Sequence, residues 1–344
     1  MPESRLSTSQ DMRAQHAARG ARSRAAALAH TLIFGLSCLG PLGLAARGDA
    51  AFVGNQGDGT VSVIDIESDK VTRTLPDRNK IGTKIQAVVP DRAGKTAFVV
   101  DAAGNALVAV DVASGRIETR VEVGEAPEGA ALSPDGRTIA VCVEDDNTVT
   151  LVDVAARRVV RKIPTQGKNP EHCAFDPSGH WLLTSNENSD DLDVVDLDAG
   201  KSVALVHASG HPRGITWLPR GRIAYVAEEA AGGVDVVDVG QRALLASIPT
   251  GLRPAGAIAS RDGARVFVSN GGDGTVSVID TAARKVIATV PVGKRPWNMA
   301  LTHDGRKLYV ANGRSNSVSV IDTAALKVLA EIPVGVLPWG VAIP

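Results

Sequence analysis

The stretch RVFVSNGGDGTVSVIDTAARKVIATVPVGKRPWNMALTHDG, residues 265–305, decides the fold of this chain. It contains three β-rich runs separated by turns, followed by a proline-marked approach to a fourth run, PWNMALT. The next residues repeat the pattern as KLYVANGRSNSVSVIDTAALKVLAEIPVGVLPWGVAIP. A unit that recurs at a fixed spacing indicates a repeat architecture.

An aspartate closes the second run, the alternating one, of every copy. It recurs at intervals of 46, 42, 43, 42, 42 and 42 residues, at Asp65, Asp111, Asp153, Asp196, Asp238, Asp280 and Asp322. A period near 42 that holds four strand-like runs is typical of a propeller blade. We therefore predict an all-β fold over residues 47–344, a single seven-bladed β-propeller of four-stranded antiparallel blades. The aspartates are interpreted as turn residues, because Asp readily accepts hydrogen bonds from the backbone that follows it.

The two ends of the repeat region predict how the ring closes. The region begins on a second strand, residues 51–55, and ends on a first strand, residues 339–344. We expect 339–344 to pair as the innermost strand of the blade begun at 51–55, because this leaves no sheet edge open. In the first complete copy, Thr83 is expected to take the place of the proline before the innermost strand.

Residues 1–46 differ in kind from the repeats. Five arginines precede an apolar run that ends in small residues, the pattern of a secretory signal peptide. We predict cleavage after Ala46, with Ala50 as the alternative, a periplasmic or secreted protein, and no transmembrane segment in the mature chain. Cys38 leaves a lipoprotein open, and the pairing of Cys142 with Cys173 is also left open, since two cysteines make no disulfide framework.

Composition and missing motifs exclude several classes of function. A formal net charge of −1 gives no basic field for nucleic acid. The sequence has no Cys-x-x-Cys-His for covalent haem, and no nucleophile elbow, phosphate loop or metalloprotease motif. The four tryptophans do not follow a tryptophan-docking repeat. We predict no catalytic residue and no cofactor, and we favour a protein that is not an enzyme.

The repeat sequences are similar to those of a known family. AFVGN, VFVSN and KLYVAN, each followed by TVSVID or SVSVID, resemble the YVTN-type β-propeller repeats, which are WD40-like in blade plan. KRPWNMALTHDGRKLYVAN and the PWGVAI ending resemble the propellers associated with pyrroloquinoline-quinone (PQQ)-dependent catabolism. This resemblance implies a seven-bladed, exported, non-catalytic protein with an unsettled ligand. It transfers no catalytic residue.

The candidate site is the channel mouth where the innermost strands begin. Residues beside the marker proline differ from copy to copy, and variable loop ends on a rigid scaffold are where binding residues concentrate. Arginine forks there would hold a carboxylate or phosphate, and an indole would stack on a planar group. The predicted ligand-binding residues are His211, Arg213, Arg253, Arg295, Trp297, Trp339, Glu128 and Glu171. The alternative is that the charges keep a rim soluble while the tryptophans plug the channel.

Metal binding is not predicted at this mouth. Glu171, His172 and Cys173 are metal-ligand types, but neighbouring residues of a strand face opposite sides, so His172 should face away from Glu171. His172 and His211 remain weak candidates. Acidic clusters at 144–146, 187–191 and 228–229 are expected in second-to-third strand loops on the side of the mouth, either facing a partner or solvated.

The resulting prediction of function is a non-catalytic binding or scaffold propeller, accessory to periplasmic PQQ-dependent alcohol oxidation. Its partner would be an unknown protein or a small anionic ligand, and we expect a monomer. One alternative is a lactonase-like or lyase-like enzyme that acts at the mouth through Glu128, Glu171, His172, His211 and Arg213. Another is a cofactor-handling propeller, by analogy with propellers that hold modified haem.

Overall fold

The computed structural model describes residues 50–344, so the predicted signal peptide, residues 1–46, lies outside the described residues. All regular structure between residues 50 and 344 consists of β-strands, β1 to β28. Within that range no helix could cross a membrane.

The strands fall into four groups by their place in a blade. The innermost strands are β4 (Ile85–Pro90), β8 (Pro127–Leu132), β12 (Pro170–Phe175), β16 (Pro212–Trp217), β20 (Pro254–Ala259), β24 (Pro296–Leu301) and β28 (Pro338–Ala342). The second strands are β1 (Ala50–Asn55), β5 (Thr96–Asp101), β9 (Thr138–Val143), β13 (Trp181–Asn186), β17 (Ile223–Glu228), β21 (Arg265–Asn270) and β25 (Lys307–Asn312). The third strands are β2 (Thr60–Asp65), β6 (Ala106–Asp111), β10 (Thr148–Asp153), β14 (Asp191–Asp196), β18 (Gly233–Asp238), β22 (Thr275–Asp280) and β26 (Ser317–Asp322). The outermost strands are β3 (Lys70–Leu75), β7 (Ile117–Glu122), β11 (Arg158–Pro164), β15 (Lys201–His207), β19 (Ala243–Pro249), β23 (Lys285–Pro291) and β27 (Lys327–Pro333).

Seven four-stranded antiparallel sheets confirm the predicted seven-bladed propeller. Six blades are formed by four consecutive strands each, and the remaining sheet has the order β28-β1-β2-β3. In that sheet β28 pairs antiparallel with β1, with Val53 opposite Val341. The predicted closure of the ring by the C-terminal strand is therefore confirmed, with the strand running over Pro338–Ala342.

The marker aspartates have the local role that the sequence predicts. In all seven copies the Oδ1 atom accepts a hydrogen bond from the backbone N–H three residues ahead, at 2.6–2.9 Å. This bond begins the tight turn into the outermost strand. Apolar side chains of the second and third strands fill clusters that adjacent blades share. Phe52 and Val99, for example, lie in one such cluster. Burial of these apolar faces stabilises the ring of blades, and the ring positions the residues of the channel mouth.

One innermost strand begins later than the sequence suggests. Ile85 lies opposite Asp101 at the end of the second strand, just as Pro127 lies opposite Val143 in the next blade. Ile85, and not Thr83, therefore occupies the proline position, and Gln86 follows it as the second residue of the strand. The placement of Thr83 was wrong because this copy alone lacks the proline that marks the strand start.

Candidate functional site

The upper mouth is the end of the channel at which all innermost strands begin. Two sets of segments form it: the connections that lead into the innermost strands, and the loops between second and third strands. Buried aspartates of the third strands hold these connections, because Asp193 accepts from the backbone N–H of Gly167 at 3.0 Å and Asp235 from that of Ser209 at 2.8 Å. The residues of the upper mouth thus sit on short, well-anchored segments.

Two rings of seven residues line the upper mouth. The second residues of the innermost strands form one ring: Gln86, Glu128, Glu171, Arg213, Ala255, Trp297 and Trp339. The first residues after the second strands form the other: Gln56, Ala102, Glu144, Glu187, Glu229, Gly271 and Gly313. The side chains of the two rings meet across blades, as shown by the 2.6 Å hydrogen bond from Gln56 to Gln86. Charge is concentrated on one side of the mouth, and the tryptophans lie on the other.

Arg213 is the centre of the charged side. One guanidinium nitrogen, Nη1, lies 3.0 Å from Glu187 Oε1 and 2.6 Å from Glu229 Oε2, while Nη2 contacts Glu171. Its side chain is only 16% exposed. Burial alone would lower the pKa of Arg213, but the three surrounding carboxylates raise it above its ordinary value. The guanidinium is therefore a permanent cation that ties two adjacent blades together.

Glu229 is a second centre, bound by arginines from three blades. Besides Arg213, its carboxylate contacts Arg253 Nη2 at 2.5 Å and Arg295 Nη2 at 3.1 Å. Burial tends to raise the pKa of Glu229, but the arginines outweigh it and lower that pKa to about 2. Glu229 is consequently ionised at any physiological pH.

Two carboxyls close to Glu128 have raised pKa values. Burial, followed by the neighbouring Glu128, raises the pKa of Glu144 to about 9. Burial also raises the pKa of Glu171 well above its ordinary value, although Arg213 opposes the shift. The buried Glu171 Oε2 has no hydrogen-bond donor among the described residues, and a proton shared with Glu128 would satisfy it. Strongly shifted carboxyls in a cleft mark a candidate functional site.

The channel narrows just below the first ring. The third residues of the innermost strands there are mostly small: Ala87, Gly129, His172, Gly214, Gly256, Asn298 and Gly340. A Cβ on Gly129 would lie 2.3 Å from the carbonyl oxygen of Glu171, so the strands approach too closely for a side chain at that position. The imidazole of His172 fills part of this constriction and stacks on Trp339, with ring centroids 5.4 Å apart.

His172 does not face away from Glu171 as strict strand alternation predicts. The pairing register shifts between Pro170 and His172, and His172 Nε2 lies 3.7 Å from Glu171 Oε1. An irregularity of this kind re-aims side chains at the rim of a sheet. Burial, with a contribution from Arg213, lowers the pKa of His172 to about 4, so its imidazole is neutral at physiological pH.

The tryptophan side of the upper mouth also carries cations. The guanidinium carbon of Arg295 lies 5.8 Å from the ring centre of Trp297. Buried Arg295 Nη1 has no hydrogen-bond acceptor in the part of the chain that the structure describes. Beside it a surface cleft of about 610 Å³ is lined by residues 271–275, 291–295 and 314–315, which include Lys294 and Arg314. This side offers guanidinium donors, ammonium charge and an aromatic face.

The structure brings the eight predicted site residues to one mouth. His211, Arg213, Arg253, Arg295 and Glu171 join a single ion-pair network, with His211 Nε2 on Glu187. Glu128 adjoins it, Trp297 lies beside its member Arg295, and Trp339 stacks on the neighbouring His172. Ligand binding by these residues stays a prediction.

Sequence reasoning missed the part played by Glu144, Glu187 and Glu229. They appeared only as members of acidic loop clusters, although each directly follows a second strand and so enters the same ring. Glu187, His211 and Glu229 also form a group whose ligand atoms lie within 4.8 Å of one another, a spacing that could hold a metal ion. Arg213 contacts both of these carboxylates, so a cationic group already compensates them.

Two family models match parts of this chain. The model described as cytochrome D1 heme domain matches residues 220–339. The model described as lactonase, 7-bladed beta-propeller, matches residues 125–203. The first segment supplies Glu229, Arg253, Arg295, Trp297 and Trp339, and the second supplies Glu128, Glu144, Glu171, His172 and Glu187. No curated protein matches the chain.

Solved propellers share its fold. Hydrazine synthase of Kuenenia stuttgartiensis is 23% identical with a TM-score of 0.73, covering 81% of this chain and 93% of that one. A functionally unknown protein from Desulfotomaculum acetoxidans is 16% identical with a TM-score of 0.74, covering 86% and 98%. The dihydro-heme d1 dehydrogenase NirN, in complex with DHE, is 17% identical with a TM-score of 0.65, covering 86% and 75%.

These findings contradict the prediction of a non-catalytic scaffold accessory to PQQ-dependent alcohol oxidation. The matches are described as a haem domain, a lactonase, a dehydrogenase and a synthase, and not as scaffolds. The prediction rested on repeat wording such as KRPWNMALTHDG and PWGVAI, which encodes blade architecture. Because one architecture serves many functions, that wording could not identify a ligand or an activity. The chain is a seven-bladed β-propeller, similar over part of its length to haem-domain and lactonase propellers.

Proposed function

We propose that the upper mouth binds a planar, carboxylate-bearing small molecule of the tetrapyrrole class, and that the protein carries or transforms it. The observation that carries this proposal is the buried Arg295 Nη1, which lacks an acceptor within residues 50–344 and belongs to a guanidinium beside the Trp297 ring. A buried donor without an acceptor is costly, so a ligand acceptor there would be favourable. The haem-domain match to residues 220–339, which contain both side chains, supports the class of ligand.

The donor set of the upper mouth fits such a group. Arg253, whose side chain is 60% exposed, and Arg295 would hold carboxylates, and Trp297 would contact the ring face. His211 and His172 are the imidazoles available to an iron atom, and His172 is neutral, the form that can coordinate a metal. A bound haem-type group would supply redox chemistry at its iron, while the residues named here would position it and exclude water.

Titration of the purified protein with ferric protoporphyrin IX tests the proposal. We expect saturable binding, seen as a shifted Soret band and quenched tryptophan fluorescence. The double variant R295A/W297L should bind at least about tenfold more weakly, since a charge-assisted hydrogen bond and an aromatic contact are lost. R306A is the matched control, because Arg306 is 86% exposed and lies on the turn after β24, at the opposite end of the strand. Equal binding by wild type and R295A/W297L would overturn the proposal.

A second candidate function is hydrolysis of a lactone or related ester by general acid–base catalysis. The specific observation is the Glu144 carboxyl, which is protonated below a pKa of about 9 and adjoins Glu128. A carboxylic acid kept neutral at pH 7 can donate a proton to a leaving group. Wild type should hydrolyse a panel of γ- and δ-lactones, and E144Q should lose most of that rate without unfolding. An unchanged rate in E144Q would exclude this role.

We further propose export of the chain through the signal peptide at residues 1–46, YVTN-type repeats over 47–344, and a monomeric mature protein. The basic and apolar pattern of the first 46 residues and the TVSVID wording support these points. N-terminal sequencing of protein from a periplasmic extract should begin at residue 47 or 51. Light scattering should give the mass of one chain.

A further inference from the structure

The carboxylate of Glu229 occupies an anion site made by three blades. Its Oε2 lies 2.6 Å from Arg213 Nη1, and its Oε1 lies 2.6 Å from Arg253 Nε and 3.1 Å from Arg295 Nη2. Three guanidinium groups around one carboxylate form the arrangement in which proteins hold anionic ligands. Here the anion belongs to the protein's own loop between β17 and β18.

Positive charge at this site exceeds what Glu229 can compensate. Arg213 also pairs with Glu171 and Glu187, but Arg253 and Arg295 have only Glu229 as an ion-pair partner within residues 50–344. Burial, with the like charges of Arg253 and Arg213, lowers the pKa of Arg295 despite the contact with Glu229. Among the residues from 50 to 344, Arg295 Nη1 remains buried and without an acceptor. The arginines can therefore accept a carboxylate supplied from outside.

The repeat itself does not require these side chains. The positions equivalent to Glu229 hold residues as different as Gln56, Ala102 and Gly271, so blade formation is compatible with many residues there. Arg253 and Arg295 have positive φ angles of 53° and 55°, a backbone conformation in which glycine costs less than arginine. The arginines therefore sit where the backbone disfavours them, and their guanidinium groups meet at one point.

We infer that Glu229 is a resident carboxylate that stands in for a ligand carboxylate and is displaced when the ligand binds. This inference rests on the proposed function, because the displacing carboxylate is one carried by the small molecule of the upper mouth. An internal carboxylate competes at a high effective concentration. Wild type should thus discriminate against simple monocarboxylates and accept a ligand that adds ring contacts or a second carboxylate.

Removal of the Glu229 side chain should convert the site into one for free carboxylates. The E229A variant leaves three guanidinium groups without their shared anion, so we expect a lower thermal midpoint than wild type. Sodium acetate should restore much of that midpoint, whereas sodium chloride at the same ionic strength should not. Wild type should respond equally to both salts. D69A is the matched control, since Asp69 pairs with Lys307 away from the upper mouth and should show no acetate-specific recovery.

Calorimetric titration with acetate makes the test independent of how well E229A folds. The isosteric E229Q variant should bind acetate at least about tenfold more tightly than wild type. If folded E229A gains nothing from acetate beyond the chloride effect, or E229Q binds acetate no better than wild type, the inference is overturned. Ferric protoporphyrin binding by wild type distinguishes the displacement of Glu229 from the proposed ligand class. Porphyrin binding without any acetate effect in the variants overturns only this inference. Acetate recovery without porphyrin binding overturns only the proposed ligand class.

Discussion

Replacement of Arg213 by methionine should destabilise the propeller through its upper mouth. Methionine keeps most of the side-chain length but removes the charge that compensates Glu171, Glu187 and Glu229. Glu171 is 1% exposed and Glu229 is 6% exposed, so water cannot replace the guanidinium. Removing one partner from such a buried network costs about 3–5 kcal/mol. We expect R213M to lose about 3 kcal/mol of its free energy of unfolding at pH 7.5, the lower end of that range because Glu171 can take up a proton.

The loss should depend on pH in a direction that the structure fixes. In wild type the pKa of Glu229 is lowered from 4.5 to about 2, so its pairing stabilises the fold above pH 4.5 and is lost as pH falls towards 2. Without Arg213 the buried carboxyls protonate more readily, which relieves their burial. At pH 4.5 the difference between R213M and wild type should shrink to less than about half of its value at pH 7.5.

Urea denaturation followed by tryptophan fluorescence at both pH values measures this difference. R213K should lie between wild type and R213M, because lysine keeps the charge but cannot contact several carboxylates with a planar fork. R306M, on an exposed turn, should change the free energy of unfolding by less than about 0.5 kcal/mol. A loss below about 1 kcal/mol in R213M, or an equal loss at both pH values, would refute the reasoning.

Two further predictions concern residues beside Glu128. Burial and Glu128 raise the pKa of Glu144 from 4.5 to about 9, so the stability that this group contributes is present below pH 4.5 and is lost as pH rises through 9. The E144Q variant should therefore show a smaller fall in thermal midpoint between pH 6 and 9 than wild type. Identical falls in the two proteins would contradict the raised pKa of Glu144. G129A should lower stability by about 1–3 kcal/mol, because its Cβ would lie 2.3 Å from the Glu171 carbonyl oxygen. G240A, where the nearest atom is at 3.4 Å, should stay close to wild type, and an equally stable G129A would show that the strands can separate freely.

Most of the fold was accessible from the sequence because each blade repeats its own turn chemistry. The aspartate at the end of every third strand bonds three residues ahead in all seven copies, so its spacing reports the blade period directly. The closure by β28 followed from where the first and last strands fall within the blade. The start of β4 did not follow, because Ile85 carries no proline to mark it.

Only part of the candidate site could be predicted from the sequence, for a related reason. The sequence placed Arg213, Arg253 and Arg295 near one mouth, since they flank prolines at equivalent positions. It could not show that Glu229, from another segment of the repeat, lies among all three, because side-chain contacts between blades are not encoded by a local pattern. Strand alternation also failed at His172, where the register shift turns the ring beside Glu171.

A crystal structure of the protein with bound ferric protoporphyrin IX would test the central claim most directly. We expect density for the macrocycle at the upper mouth, with a carboxylate on Arg253 or Arg295 and the ring beside Trp297. We also expect that the Glu229 side chain no longer contacts at least one of its arginines. Density at the opposite end of the channel, or a macrocycle that contacts none of these residues, would contradict it.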